Sequence, residues 1–194
     1  MLVKQLGAIE KILLPPDYAL GAEEFGSRGD NWARTYYPGA ARDVEIVFLY
    51  RGRASSEKET ALLRSFLQEQ DNTSDTTGGD NLEEKAIELE WILDVIGDNQ
   101  FTRKTSGLTG PGFFLSGLYR AQVSSRPILH ASGYFHNNDG QPSNYYHGIF
   151  FDGTPLNKKA QIEEVFLQST VKQTFEAHLA PFERCLATIQ WTQS

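Results

Sequence analysis

Residues 113–151 read FFLSGLYRAQVSSRPILHASGYFHNNDGQPSNYYHGIFF, and this stretch predicts an antiparallel meander of three strands. Aromatic residues recur along it, as they do in half-buried strands. We expect the strands at about 113–123, 127–136 and 145–151. The stretch contains nine aromatic residues and three histidines but only three charged residues, which are Arg120, Arg126 and Asp139. Many aromatic side chains among few charges are typical of a covered or ligand-binding surface.

The pairing of these strands decides which side chains share a face, because successive side chains point to opposite sides of a sheet. We expect turns at Ser125-Arg126 and at 137–144, and the cross-strand pairs Tyr119 with Ser132, His136 with Tyr145, and Tyr134 with His147. One face then carries Tyr119, His130, Ser132, Tyr134, His136, Tyr145 and His147. The other carries Leu118, Leu129, Ala131, Gly133, Phe135, Tyr146, Gly148 and Phe150. A slip of one residue in either turn would break this sorting.

The chain before the meander predicts further strands. Residues 32–37 and 44–50 read as a hairpin, and the second segment, VEIVFLY, is almost wholly apolar. Such a strand is typically covered on both faces, and helices are the expected cover. Residues 1–14 fit either a helical stripe or a strand that ends before Pro15-Pro16. Gly21, Gly26 and Gly29 then mark a loop or an open hairpin.

Helices are predicted on both sides of the meander. Capping-box spacings that begin at Ser56 and Asn81 predict two helices before it. A polar loop at about 71–81 separates them and is expected to be mobile. After the meander, residues 158–167 and 171–179 predict helices by their apolar spacing.

We therefore predict a single α+β domain over residues 1–194. Its antiparallel sheet would combine the N-terminal hairpin with the C-terminal three-stranded meander, packed by α-helices on both faces. In element order the chain loosely resembles the Mog1/PsbP-like α/β/α folds, which begin with a short Leu-Pro-ended strand and close with a C-terminal helix. The resemblance implies an architecture only, because no functional motif accompanies it.

Composition narrows the classes of function. The net charge of −7 argues against nucleic acid and against an anionic membrane as partners, since both require a basic surface. Cys185 is the one cysteine, so the chain can form neither an intrachain disulfide nor a cysteine-based zinc site. No apolar run approaches the length of a transmembrane helix, and charged residues interrupt the first 14 residues as they would not in a signal peptide. We expect a soluble, cytoplasmic protein.

The negative charge is concentrated in one segment. Residues 57–96 contain 11 acidic and 3 basic residues, a balance of −8, so the remainder of the chain sums to +1. These residues include the two helices predicted before the meander. They predict an acidic helical face that could attract a basic partner or keep the protein in solution.

No motif of a known catalytic class is present. The chain has neither a Gly-x-Ser-x-Gly nor a His-Glu-x-x-His pattern, and the glycines at 107–112 precede a strand without the Lys-Ser/Thr of a phosphate-binding loop. We therefore predict a non-catalytic module that binds a protein or a small ligand, without cofactor or metal, through the aromatic sheet face and the acidic helical face. A second copy of the chain, giving a homodimer, is one such partner. The candidate binding residues are Tyr119, Ser132, Tyr134, His136, Tyr145 and His147.

The alternative is a small enzyme whose site forms on the same face from Tyr134, His136, Tyr145 and His147. A histidine would serve as general base, because its side chain titrates near neutrality, or as a metal ligand. In the expected pairing His136 and His147 are roughly 7 Å apart and could reach one ion, whereas His130 and His136 lie roughly 20 Å apart along one strand.

Overall fold

The computed structural model describes residues 1–25, 32–39, 41–54, 57–68, 113–137, 139–153 and 161–192. Its elements, in chain order, are β1 (Leu2–Leu6), β2 (Ile9–Leu13), β3 (Tyr18–Phe25), β4 (Trp32–Pro38), β5 (Val44–Ala54), α1 (Glu57–Gln68), β6 (Phe113–Val123), β7 (Arg126–His136), β8 (Pro142–Asp152), β9 (Gln161–Ser169), α2 (Lys172–Leu186) and β10 (Gln190–Trp191). Neither helix in this described part of the chain is long and apolar enough to cross a membrane.

The strands form two antiparallel sheets. The larger has seven strands in the order β3-β4-β5-β9-β8-β7-β6, and the smaller has three in the order β1-β2-β10. β9 occupies the middle of the larger sheet, and all nine of its residues are buried. Buried polar groups are tolerated when they are hydrogen-bonded, and two residues of β9 meet this condition: Tyr146 Oη donates to Glu164 at 2.5 Å, and Asn144 Nδ2 donates to Gln168 at 2.9 Å.

Two cores lie on opposite faces of the larger sheet. On one, which we call the α2 face, α2 and the smaller sheet cover strand residues that include Ile46, Phe48, Ile149, Val165 and Leu167. On the other, the α1 face, Leu63 of α1 packs in a cluster with residues that include Val47, Leu129, Phe135, Phe150 and Phe166. The strands alternate between the two cores, and this alternation places the side chains discussed below.

The predicted α+β class, with helices packed on both faces of the sheet, is wrong. The described chain is mainly β, with α1 and α2 as its two helices. On the α2 face a second β-sheet shares the position that helices alone were expected to fill, and on the α1 face one short helix contacts the sheet among the described residues.

The largest single error concerns residues 158–167, which were expected to be helical. From Gln161 onward they form β9. Ile162, Val165 and Phe166 have the spacing of a helical stripe, but a central strand is buried on both faces, so its apolar residues need not alternate. Spacing therefore did not distinguish a buried strand from a helix.

The structure also decides most of the other predicted elements. Residues 1–14, left open between helix and strand, form the hairpin β1-β2, with Leu2 opposite Leu13. Gly21, expected in a loop, lies in β3 beside a register shift, and its partner strand is β4. The first predicted helix corresponds to α1, and the helix predicted at 171–179 corresponds to α2, which continues through Pro181 to Leu186. The helix predicted from Asn81, the polar loop at 71–81, most of the acidic segment and the glycines at 107–112 lie outside the described residues.

Candidate functional site

The turn between β6 and β7 sets the register of the candidate site. It falls at Ser124 and Ser125, whose φ angles are +47° and +67°, and not at Ser125-Arg126 as expected. Two residues with positive φ form the tight turns that suit a right-handed hairpin twist. As a result Tyr119 lies opposite His130 instead of Ser132. A shift of two residues preserves the side-chain alternation, so the face sorting survives although the individual pairs change.

A first aromatic row crosses the α2 face from the edge strand to the helix. Tyr119 of β6 stacks on His130 of β7, with ring centroids 4.6 Å apart and planes within 6°. His130 is 5.3 Å from the ring of His147 on β8, which contacts Phe182 of α2 edge to face at 6.1 Å. Tyr119 is 42% exposed, whereas Phe182 is fully buried, so the row passes from solvent to core.

A second aromatic row runs alongside it. Phe114 of β6 stacks on Tyr134 of β7 at 5.0 Å, and Tyr134 lies 6.3 Å from Tyr145 of β8. Tyr145 in turn lies 5.9 Å from Phe175 of α2. Phe114, at the outer end, is 52% exposed. Both rows are therefore covered by α2 at one end and open at the edge strand.

Small residues separate the two rows. Gly117 of β6 pairs with Ser132 of β7, and a Cβ added to Gly117 would meet only the Ser132 Cβ, 3.8 Å away. We call the space above these two residues, bounded by the open ends of the rows, the groove. Its floor is Gly117 and the Ser132 hydroxyl, and aromatic rings that include Tyr119 and Tyr134 flank it, a composition typical of small-ligand sites.

A polar chain runs from the groove to α2. Ser132 Oγ and His147 Nδ1 share a hydrogen bond of 2.6 Å, and His147 Nε2 lies 3.8 Å from Glu183 Oε1. His147 Nε2 and His130 Nδ1 are both buried without a hydrogen-bond partner. Burial lowers the pKa of each imidazole to about 4, and the neighbouring His147 adds to the effect on His130. Both rings are therefore neutral at neutral pH.

A pocket of about 320 Å³ adjoins the first row, between β6 and the C-terminal turn of α2. It is lined by Tyr119, Gln122, Val123, Ser124, His130, Glu183, Leu186 and Ala187. Glu183 is the one lining residue with a formal charge at neutral pH. Burial, and to a smaller extent the charge of Glu183, raises the pKa of the Tyr119 hydroxyl, which therefore stays protonated.

The structure brings together five of the six residues that the sequence singled out. Tyr119, Ser132, Tyr134, Tyr145 and His147 lie on the groove or in its two rows.

His136 is the exception. A register shift after Phe135 places His136 opposite Pro142, and its Nδ1 lies 3.2 Å from the Asn137 carbonyl. His147 pairs with Ser132, four residues away on β7, which is roughly 13 Å along a strand. The expected proximity of His136 and His147 was wrong.

Four further residues belong to the site. His130 could have been found from the alternation of β7. Gly117 could not, because its pairing with Ser132 depends on where the turn falls, and Phe114 reaches this face only through the register shift between Leu115 and Gly117. Glu183 gave no signal in the sequence, because it reaches the site only through the packing of α2 on the sheet. Across the described ranges, no three His, Cys, Asp or Glu side chains are placed to hold a metal ion.

Comparisons with known proteins add little to this geometry. No protein-family model and no curated protein matches the chain. Among solved structures it is similar to a protein of unknown function from Pseudomonas aeruginosa, PA94, described as a putative regulator, with a TM-score of 0.45 and 12% identity over 100% of this chain and 98% of that one. It is also similar to LpqN, described as involved in cell envelope biogenesis of Mycobacterium tuberculosis, with a TM-score of 0.47 and 13% identity over 100% of this chain and 90% of that one. Likenesses this distant carry no argument about function.

Proposed function

We propose that the chain is a non-catalytic binding module whose ligand lies in the groove. The observation that carries this proposal is the exposure of Phe114 and Tyr119 at the open ends of two aromatic rows whose other ends pack against α2. Exposed apolar side chains that stand singly are ordinary, whereas two exposed aromatic rings on either side of a groove form a surface typical of a binding site. Aromatic surface left open beside a pocket favours an organic ligand or an apolar peptide segment.

Gly117 offers a direct test, because a larger side chain there would fill the groove. The described glycines with positive φ are Gly7, Gly39 and Gly140, so Gly117 can be replaced without backbone strain. We expect 2-phenylethanol, a neutral aromatic probe, to shift the amide NMR signals of β6 and β7 around Gly117 and Ser132. Gly117→Leu should abolish these shifts, and the rest of its spectrum should remain that of a folded protein.

Ala19→Leu is the matched control. It adds the same side chain at an exposed position of β3, on the opposite edge of the sheet, and should leave the titration unchanged. Unchanged binding in Gly117→Leu would contradict the proposal. Shifts spread over the whole surface of the wild-type protein would contradict it as well.

The proposal also covers the chemical class of the partner and the location of the protein in the cell. A net charge of −7 supports a partner other than nucleic acid or an anionic membrane. A second copy of the chain would cover the groove as well as a ligand could, and a dimeric mass in light scattering that Gly117→Leu returns to a monomer would identify that case. The free, buried thiol of Cys185 supports a cytoplasmic location, which cell fractionation tests.

An enzyme remains the second candidate, favoured by one specific observation, the alignment of Ser132, His147 and Glu183. A neutral His147 could take the Ser132 proton as general base, with Glu183 supporting the charge that develops. Hydrolysis of p-nitrophenyl acetate that is lost in Ser132→Ala, with 2-phenylethanol binding retained, would favour this candidate. Equal rates in wild type and variant would exclude Ser132 as the nucleophile for that ester.

A further inference from the structure

Among the described residues, the pocket at the end of the first row is lined by a negatively charged group and by no positively charged one. Glu183, whose side chain is 52% exposed, contributes its carboxylate, and no Lys or Arg of the described part of the chain lines the pocket. His147 Nε2 lies 3.8 Å from Glu183 Oε1, and because that imidazole is neutral at neutral pH it does not balance the negative charge. An isolated carboxylate at the mouth of a partly apolar pocket attracts a cation more strongly than it would in open solvent.

Two buried imidazole nitrogens beside this carboxylate have no partner. His130 is 8% exposed and lines the pocket, and its Nδ1 makes no hydrogen bond. His147 is 5% exposed, and its Nε2 faces Glu183 without bonding to it. A buried polar atom without a partner costs about 1–3 kcal/mol, so the free protein holds unsatisfied hydrogen-bonding capacity here. A neutral imidazole nitrogen that carries no proton accepts a hydrogen bond from an N–H group.

An aromatic ring completes the site. Tyr119 stacks on His130 with one face, and the pocket lies beside it. Its pKa is raised, so the hydroxyl remains neutral and the ring keeps the negative face that attracts cations. Carboxylate, hydrogen-bond acceptor and aromatic ring together are the groups that recognise a positively charged nitrogen.

We infer that the pocket between β6 and α2 binds a cationic nitrogen, an ammonium or guanidinium group, through Glu183, His130 and Tyr119. This inference rests on the proposed groove function and adds the chemistry of the ligand to it. The apolar part of the ligand would lie over Gly117 and Ser132, and its charged end would enter the pocket. The cation can belong to a free amine or to a basic side chain of a peptide, since both present the same group.

The test compares three probes that share one aromatic group and differ in charge: 2-phenylethylammonium, 2-phenylethanol and phenylacetate. Each is titrated into the full-length protein, and the amide NMR shifts of β6, β7 and α2 are followed. We expect the cation to bind about tenfold more tightly than the alcohol and the anion to bind most weakly.

Glu183→Gln should reduce the affinity of 2-phenylethylammonium about tenfold, to that of the alcohol, because it removes the charge and keeps the shape. Glu176→Gln is the matched control: Glu176 lies seven residues earlier on α2, is exposed, and pairs with Lys172 at 3.7 Å. It should leave all three affinities unchanged. N-acetylarginine amide serves as the second cation. Tighter binding of N-acetylarginine amide identifies the source of the cation as a peptide side chain, and tighter binding of 2-phenylethylammonium identifies it as a free amine.

Equal affinity for cation and alcohol, or an unchanged cation affinity in Glu183→Gln, would overturn the inference while the groove proposal stands. Preference for phenylacetate would overturn it in the same way. If none of the probes shifts the amides of β6 and β7, the groove proposal and the inference fall together.

Discussion

Glu163 is a buried carboxyl group with one hydrogen-bonded oxygen and one oxygen without a partner. Its Oε2 accepts the Ala8 backbone N–H at 2.8 Å, which joins the larger sheet to the turn between β1 and β2, while Oε1 is buried without a partner. Burial raises the pKa of this carboxyl to about 8, although the Ala8 N–H and the charge of Arg126 act in the opposite direction. Glu163 is therefore mostly protonated at neutral pH.

This raised pKa makes the stability of the protein depend on pH. Between the unfolded value of 4.5 and about 8 the folded-state Glu163 binds more protons than the unfolded one, so the contribution of this group to the free energy of unfolding falls as pH rises through that window. Glu163→Gln does not titrate and should lose this slope. The free energy of unfolding of the variant minus that of the wild type should increase by at least about 1 kcal/mol between pH 5 and pH 8.

Urea denaturation at the two pH values measures the difference. Glu176→Gln, which changes an exposed carboxylate, is the control and should follow the wild type. A Glu163→Gln variant that parallels the wild type at both pH values would show that the carboxyl is not the titrating group.

At the scale of single elements, two glycines of the meander make opposite predictions. A Cβ added to Gly148 of β8 would lie 2.8 Å from the Phe166 Cβ and closer still to the Tyr146 hydroxyl, within the core of the α1 face. Gly148→Ala should therefore cost about 1–3 kcal/mol of stability. Gly117→Ala, which meets one atom at ordinary contact distance, should change stability by no more than about 0.5 kcal/mol.

Denaturant unfolding of the two alanine variants measures this contrast. Because both are Gly→Ala changes in strands of the same sheet, their effects on the unfolded chain are nearly the same and cancel in the comparison. Equal losses would mean that the space above Gly117 is filled in solution, which would also weaken the groove proposal.

The elements also show how far the sequence could go. The meander and most of its two faces were predictable, because side-chain alternation depends only on parity, and the two-residue shift at Ser124-Ser125 left it intact. The register shift between Leu115 and Gly117 reversed it at Phe114, which the sequence could not show. The individual pairs were not, since they depend on where the turn falls. β9 was taken for a helix because a strand buried on both faces loses its alternation. Glu183 could not be assigned to the site at all, because its position depends on how α2 packs.

At the scale of the whole molecule, Trp191 links the two sheets, which also share the apolar core of the α2 face. Its Nε1 donates to the Val123 carbonyl at 2.7 Å, at the end of β6 in the larger sheet, while its backbone belongs to β10 in the smaller one. The indole ring contacts Phe151 at 4.9 Å, and the Arg126 guanidinium lies 4.7 Å from the ring centroid. Removing the Trp191 side chain should therefore weaken the packing of the smaller sheet on the larger one.

Trp191→Ala should lower the free energy of unfolding by about 2–4 kcal/mol, since it removes a large partly buried ring and the hydrogen bond to Val123. Hydrogen exchange gives the sharper measurement. The amides of β1 and β2 should lose protection first, because they then pack on the larger sheet without this contact, whereas those of β5 and β9, in the centre of the larger sheet, should open only with global unfolding. Leu13→Ala, which truncates an exposed side chain of the same small sheet, is the control and should leave both groups protected. Equal loss of protection in both sheets would mean that the molecule unfolds as one unit and that Trp191 does not govern their association.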